Sequence, residues 1–129
     1  MSFNNDSEPK GELELQTATM PKDTNAGGDI FGGWLLSQMD IAGAIHAAKI
    51  AKGRVTTVAV DQMTFLVPVK IGAIVSCYCN VVKIGNTSIQ VLVEVWMSYP
   101  IHDQKTKVTE GIFIFVATDP QGKPRKVII

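Results

Sequence analysis

A single charged side chain, Asp40, lies in the long apolar segment between Gly33 and Ala48. A helix that is apolar on all sides is normally buried, and a buried aspartate needs a partner or a chemical role because its charge is costly to remove from water. Burial also tends to raise the pKa of a carboxylate, which suits a general base. We therefore predict a catalytic carboxylate at Asp40. The alternative is a structural aspartate that binds backbone groups or pairs with Arg54.

Two glycines, Gly32 and Gly33, stand where this helix is predicted to begin. The first N–H groups of a helix have no partner within the helix and lie at the positive end of its dipole. They are suited to stabilise a negative oxygen on a carbonyl under attack. Asn25, in the polar loop before the helix, could donate a further hydrogen bond. The alternatives are a tight loop for the glycines and an ordinary turn residue for Asn25.

An anionic ligand would need a local cluster of cations, because 12 basic residues balance 12 acidic ones. Arg54 follows the helix directly, and Lys83 lies at a predicted hairpin with Gly85, Thr87 and Ser88. These residues could form one anion-binding patch. The alternative for each cation is a solvated surface charge with no ligand.

The elements that position these residues follow from hydrophobic patterning and turn residues. We predict the helix from about residue 31–33 to residue 52, after a short strand at 13–15. Four long strands follow at 55–66, 74–84, 87–97 and 106–118, divided by Pro, Gly and Asn. Because helices do not alternate with these strands, a doubly wound sheet is excluded. The pattern predicts an α+β fold in which one antiparallel sheet wraps around one long helix, the hot-dog arrangement.

The chain is long enough for one domain, which we place at residues 11–119. Residues 1–10 are predicted to form a disordered tail, and residues 120–129 a basic C-terminal tail. The predicted strands are apolar on both faces, which indicates that a partner subunit covers the sheet. We therefore expect at least a dimer.

Composition excludes several classes of partner and site. The balanced charge gives no field for nucleic acid, and no apolar run approaches the ~20 residues that cross a membrane. The polar N-terminus is unlike a signal peptide, so we expect a cytoplasmic protein. Cys77 and Cys79 are expected in the core, and His46 and His102 have no metal-like spacing, so no metal is predicted.

The run from Asp23 to Asp40 closely resembles the hot-dog acyl-CoA thioesterases of the YciA type. The resemblance covers residues 11–126, and its shorter matches are Gly53-Arg54-Val55, Met63-Thr64-Phe65, Val93-Glu94-Val95-Trp96 and Phe115-Val116-Ala117-Thr118-Asp119. It implies hydrolysis of acyl-CoA to free acid and CoA, with no cofactor and with CoA only as part of the substrate.

The resemblance also implies roles for individual residues. Asp40 matches the catalytic carboxylate, as general base or nucleophile, and Asn25 matches a loop asparagine that acts with the aspartate of the other subunit. The family forms trimers of dimers, so a hexamer is expected. CoA is expected at Arg54, Val55, Lys83, Gly85, Thr87 and Ser88, and the acyl chain in an apolar channel beside Gly43, Ala44, Ala47 and Phe65.

Two other functions remain as alternatives. A hot-dog hydratase or dehydratase resembles this chain in fold but uses a histidine near the helix, and no histidine lies on the face of Asp40. A non-catalytic module that binds acyl-CoA or lipid would gain nothing from a buried carboxylate. Binding of acyl-CoA without turnover would favour this second alternative.

Overall fold

The computed structural model describes residues 8–102 and 104–128. It contains five strands and one long helix: β1 (Glu12–Ala18), α1 (Gly32–Ala51), β2 (Val55–Phe65), β3 (Ile74–Ile84), β4 (Ser88–Ser98) and β5 (Thr106–Ala117), with a short 3₁₀ helix at Pro21–Asp23. All neighbouring strands are antiparallel, in the order β1-β3-β4-β5-β2. The predicted helix is therefore present, and the predicted strands form a single sheet.

Helix α1 packs against all five strands. One side of the helix, formed by Leu35, Met39, Ala42 and Ala47, is buried against apolar side chains that alternate along β4 and β5. The sheet side of this core consists of Ile89, Val91, Val93, Val95, Phe113 and Phe115. The helix is long because it spans the whole width of the sheet.

Gly43 sets how closely the helix approaches the sheet. A Cβ at this position would lie 2.9 Å from the ring of Phe115 and 3.3 Å from Val93. Real Cβ atoms essentially never come this close to another heavy atom. Glycine at position 43 therefore lets α1 lie directly on the sheet and fixes which side of the helix faces it.

The opposite side of α1 is not covered within one chain. Ile41 is 48% exposed and Ile45 is 37% exposed. The neighbouring strand β2 is an edge of the sheet, and its Val58 is 54% exposed. The expectation that the helix is buried on all sides is therefore wrong for the single chain, because the sheet covers only one side.

The outer face of the sheet holds a buried polar group that the sequence analysis did not predict. Glu94 is 1% exposed. It accepts a hydrogen bond of 2.8 Å from the indole N–H of Trp96 and lies 3.8 Å from the ammonium of Lys107. Lys107 also pairs with Glu110. These contacts satisfy a carboxylate whose burial would otherwise be costly.

The C-terminal segment packs against the domain. Val127 is buried, and its N–H donates to the carbonyl of Asn86 at 2.9 Å. The N–H of Arg125 donates to Ala117 at 2.9 Å. Residues 120–128 therefore extend the domain beyond the predicted boundary at 119, while most of the predicted N-terminal tail, residues 1–7, lies outside the described residues. In the described chain, no helix combines the length and the hydropathy that a membrane crossing requires.

Replacing Gly43 by Ala tests the close contact between helix and sheet. We expect Gly43→Ala to lower the free energy of unfolding by about 1–2 kcal/mol, because overpacking against the buried Phe115 ring outweighs the gain in helix propensity. Gly33→Ala is the matched control, since nothing lies within 4 Å of a Cβ there. It should leave stability unchanged or raise it. The measurement is urea unfolding at equal protein concentration; equal stability of the two variants would contradict the argument.

Candidate functional site

Asp40 lies on the uncovered side of α1 and is only partly buried. Its Oδ1 accepts a hydrogen bond of 2.6 Å from the hydroxyl of Thr57, a residue of β2. The predicted full burial of Asp40 is therefore wrong for the single chain, since Gly43 turns the other side of the helix to the sheet. The alternative ion pair with Arg54 is not formed either, because Arg54 binds the carbonyl of Pro120.

Thr57 is a site residue that the sequence analysis missed. Its hydroxyl fixes Oδ1 of Asp40, while Oδ2 has no hydrogen-bond partner among the described residues. A carboxylate held in this way has a defined orientation and one oxygen open to a water or a substrate atom. One threonine among the three of β2 gives no signal of its own in the sequence, and only its hydrogen bond to Asp40 identifies it.

The two glycines lie at the first turn of α1, as predicted. Both are exposed, and their N–H groups have no acceptor within the described part of the chain. A Cβ at Gly32 would lie 3.5 Å from the ring of Phe65, whereas Gly33 faces open space. The start of the helix therefore offers free donors at the positive end of its dipole.

Asn25 is a turn residue, as the alternative interpretation predicts, but its side chain still has a hydrogen-bond donor. Its Oδ1 accepts hydrogen bonds from the N–H groups of Gly27 at 2.9 Å and Asp29 at 3.1 Å. This bonding fixes the side chain and leaves the amide Nδ2 as a donor. Asn25, Gly32 and Phe65 together line a cavity of about 350 Å³.

One chain does not bring this cavity and Asp40 together. Asp40 follows Gly32 by eight residues, which is about 12 Å along the helix axis. The donors at the start of the helix, which are the N–H groups of Gly32 and Gly33 and the amide of Asn25, are thus too far from the Asp40 carboxylate for one small reacting group to contact both within one chain.

The residues predicted to line an acyl channel divide into two groups. Gly43 and Ala47 face the sheet and are buried, so they line no open space within the chain. Ala44 is partly exposed, and Phe65 is 48% exposed beside the start of the helix. Gly43 lies directly against Phe115 and Val93 of the sheet, whereas Ala44, the next residue around the helix, is outside this close contact.

The predicted CoA residues lie at the other end of α1. Val55 begins β2 opposite Ala117, whose N–H donates to the carbonyl of Thr87 at 2.9 Å. Ser88 pairs with Val116, and its carbonyl accepts the N–H of Gly85. One end of the sheet therefore brings together Arg54, Val55, the hairpin and the end of β5. Lys83 lies further along β3, opposite Gln90.

A second cavity, of about 620 Å³, lies at this end of the helix. The last turn of α1 and residues 50–54 form one wall, and residues 118–128 form the other. Of the predicted CoA residues, only Arg54 lines it. Lys52 and Arg125, the latter from the predicted basic C-terminal tail, also line it.

The buried cysteines take no part in either cavity. Cys77 and Cys79 are free thiols in the core. Burial raises the pKa of Cys77 to about 12 and raises that of Cys79 as well. Both thiols are therefore protonated and unreactive at neutral pH, as their predicted core position implies.

Known proteins are similar to this chain over most of its length. The model of the thioesterase superfamily matches residues 27–98, the segment from the loop through α1 to β4. The acyl-CoA thioester hydrolase YciA of Salmonella typhimurium is 60% identical over 124 residues, which cover 93% of this chain and 92% of that protein. The chain belongs to the thioesterase superfamily.

Solved structures confirm the predicted hot-dog fold for this thioesterase. A hexameric thioesterase from Yersinia pestis superposes with a TM-score of 0.88 at 55% identity, covering 92% of this chain and 97% of that one. A hexameric broad specificity acyl-coenzyme A thioesterase, solved as an aspartate-to-alanine mutant, superposes with a TM-score of 0.89 at 48% identity. It covers 92% of this chain and 87% of that one.

A charged cluster on the side of α1 away from Asp40 joins the helix to the edge strand β1. The side chain of Glu14 is 4% exposed, and its two oxygens bind His46 at 2.7 Å and Lys49 at 2.6 Å. Glu12, Glu14 and His46 form a described group whose donor atoms lie within 4.8 Å of one another. Both Glu14 oxygens already have partners, and the absence of a metal in this thioesterase stays a prediction.

Glu14 gives the thioesterase a pH-dependent contribution to stability. Burial alone would raise the pKa of Glu14, but hydrogen bonds from Lys49 and His46 and their positive charges lower it below the ordinary 4.5. The carboxylate therefore stabilises the fold above about pH 4.5, and this stabilisation is lost as pH falls through the lower folded-state pKa.

Replacing Glu14 by Gln should lower the free energy of unfolding at pH 7 by on the order of 1 kcal/mol, because a charge-assisted hydrogen bond is lost. The difference from the parent protein should shrink as pH falls below about 4.5. Urea unfolding at a series of pH values measures both effects. Glu12→Gln, an exposed neighbour, is the control and should change little; a constant Glu14→Gln difference at all pH values would contradict the assignment.

Proposed function

We propose that the protein hydrolyses acyl-CoA thioesters to a free acid and CoA. The observation that carries the proposal is the Asp40 carboxylate, fixed by Thr57 on the uncovered side of α1 and accompanied by free N–H donors at the helix start. The relatives named as acyl-CoA thioester hydrolases support this substrate class. A cytoplasmic location remains part of the proposal.

The active site is completed by a second copy of the chain. Asp40 lies about 12 Å from Gly32 along the helix axis in one chain. The exposed apolar side of α1 and the edge strand β2 offer a surface for a partner. Asn25, Gly32 and Gly33 of one subunit then act with Asp40 of the other. Hexameric relatives support a trimer of such dimers.

The chemistry needs only groups of this chain and water. The thioester oxygen accepts hydrogen bonds from the N–H groups at Gly32 and Gly33, and Asn25 Nδ2 adds a third donor. These bonds and the helix dipole stabilise the negative oxygen of the tetrahedral intermediate. No metal or cofactor is required, because a thioester is already an activated acyl group with a good leaving thiolate.

Asp40 supplies the nucleophile in one of two ways. As a general base, it takes a proton from water, whose oxygen bonds to the carbonyl carbon; the C–S bond then breaks and the thiolate receives the proton. When Asp40 is the nucleophile, its carboxylate oxygen bonds to the carbonyl carbon, the C–S bond breaks and the thiolate leaves; water then hydrolyses the mixed anhydride and releases the acid. In both cases Thr57 orients the carboxylate. The acyl chain extends along Ala44 and Phe65.

The alternatives are weaker for specific reasons. A hydratase or dehydratase would need a histidine beside Asp40, but His46 is bound to Glu14 on the other side of the helix. A non-catalytic binding module would not need an oriented carboxylate with an open oxygen. Binding of acyl-CoA without hydrolysis would place the binding module first.

Replacing Asp40 by Asn should lower kcat for acyl-CoA about 1000-fold, since the general base or nucleophile is removed at nearly constant shape. Asn25→Asp, which keeps the Oδ1 acceptor of the turn and removes the Nδ2 donor, should also be nearly inactive. Co-expression of the two variants should restore roughly a quarter of the parent activity, because half of randomly paired dimers hold one intact site. Release of free thiol measures turnover.

The single variants and the co-expression test two different claims, the role of Asp40 and the sharing of the site between subunits. Turnover by Asp40→Asn close to that of the parent would reject Asp40 as the reacting carboxylate. Two inactive variants that restore nothing together would place the whole site within one subunit. Size-exclusion chromatography of each variant shows whether the assembly is retained.

Replacing Thr57 by Val removes the hydrogen bond to Asp40 while keeping the shape of the side chain. We expect kcat to fall ~10-fold with little change in KM, because a bond to a charged group is lost and the carboxylate is less well oriented. Thr56→Val is the matched control, since successive side chains of a strand point to opposite faces. An equal effect of both substitutions would show that Thr57 acts only through the stability of β2.

A further inference from the structure

The cavity of about 620 Å³ at the end of α1 exists only because two separate segments meet there. Residues 50–54 end the helix and begin β2, and residues 118–128 follow β5. Their backbones are joined by the N–H of Thr118, which donates to the carbonyl of Arg54 at 2.9 Å. Two arginine side chains make the remaining cross-connections.

Arg125 connects the C-terminal segment to the helix. Its Nη2 donates to the carbonyl of Ala51 at 2.7 Å, in the last turn of α1. The same guanidinium binds the carbonyls of Lys126 at 3.0 Å and Thr118 at 3.3 Å. All three contacts use the planar set of donors that only arginine has, so the group is held in one orientation between the two walls.

The guanidinium of Arg125 can reach the carbonyl of Ala51 because the neighbouring residue, Gly53, has no side chain. A Cβ at Gly53 would lie 2.7 Å from Nη2 of Arg125, too close for the guanidinium to stay where it is. The left-handed residue that ends the helix is Lys52, with φ of 53°. A side chain at position 53 would therefore force the guanidinium of Arg125 to move, whereas the helix end itself uses Lys52.

The charge of Arg125 also changes what the cavity can bind. The C-terminal end of a helix carries a partial negative charge, and Asp119 lines the same cavity. Both would repel a phosphate. Arg125 binds the helix end directly, and Arg54 and Lys52 add two more cations to the lining. The three cations of the lining outnumber its one carboxylate, Asp119, and Arg125 is the one among them that contacts the helix end.

We propose that Arg125 is a positioning residue for the phosphate-bearing nucleotide end of the substrate, because it joins the two walls of this cavity and offsets the negative end of α1. The inference rests on the proposed hydrolysis of acyl-CoA. Arg125 need not contact the thioester, since its donors are used on backbone carbonyls. Its loss affects recognition of the nucleotide and leaves the chemical step unchanged.

The test compares two substrates that share one thioester. A short-chain acyl-CoA carries the nucleotide, and the matching acyl-pantetheine lacks it. Arg125→Gln should raise KM for acyl-CoA ~10-fold with kcat within about twofold of the parent, while KM and kcat for acyl-pantetheine stay unchanged. Arg125→Lys keeps the charge without the planar donors and should lie between Arg125→Gln and the parent.

Two further variants distinguish the position of the Arg125 guanidinium from the overall positive charge of the C-terminal segment. Gly53→Ala displaces the guanidinium without removing any charge and should raise KM for acyl-CoA in the same selective way. Lys123→Gln removes one exposed charge from the same segment and should leave both substrates unchanged. If Arg125→Gln does not assemble, Arg125→Lys and Gly53→Ala carry the test.

Each result decides between distinct conclusions. A rise in KM confined to acyl-CoA supports the proposal. An equal rise for both substrates, an unchanged KM for acyl-CoA, or the same effect from Lys123→Gln overturns it. Absence of acyl-CoA turnover in the parent protein would reject the proposed hydrolysis itself, which is a different result from any change caused by Arg125.

Discussion

The direct contact between α1 and the sheet at Gly43 determines the geometry of the whole site. With no side chain at position 43, the helix lies against Phe115 and Val93, and its rotation about its own axis is fixed. That rotation turns Asp40 away from the core and toward Thr57 of β2. A bulkier residue at position 43 would force the helix to move or to turn, and the carboxylate would move with it.

Much of the fold follows from the sequence because turn residues divide it clearly. The predicted helix, from about 31–33 to 52, agrees with Gly32–Ala51, and the four predicted long strands agree with β2 to β5 within a few residues at each end. The rotation of the helix could not be predicted. A helix that is apolar on nearly every side has no hydrophobic stripe, so periodicity does not indicate which side faces the sheet.

The same lack of a stripe explains the errors at the site. Gly43 and Ala47 looked like neighbours of Asp40 in an open channel, but they pack against the sheet. The role of Thr57 and the contact of Arg125 with the helix end could not be predicted, because they join α1 to residues 17 and 74 positions away in the sequence. Asn25, Gly32 and Gly33 were easier to find, since loop and helix-start chemistry is local.

The two ends of α1 have opposite electrostatic character, and this separates the two tasks of a thioester hydrolase. The start of the helix has free N–H groups and a positive potential, which suits the oxygen of a carbonyl under attack. The end of the helix has a negative potential, which is unsuited to a phosphate until cations offset it. Arg125 and Arg54 lie at that end. In the proposed mechanism, a single long helix orients the thioester and nucleotide ends of one extended substrate, with a second copy of the chain on its uncovered side. The exposed edge strand and apolar helix face, which would favour aggregation in a lone chain, are then the surfaces that complete the site.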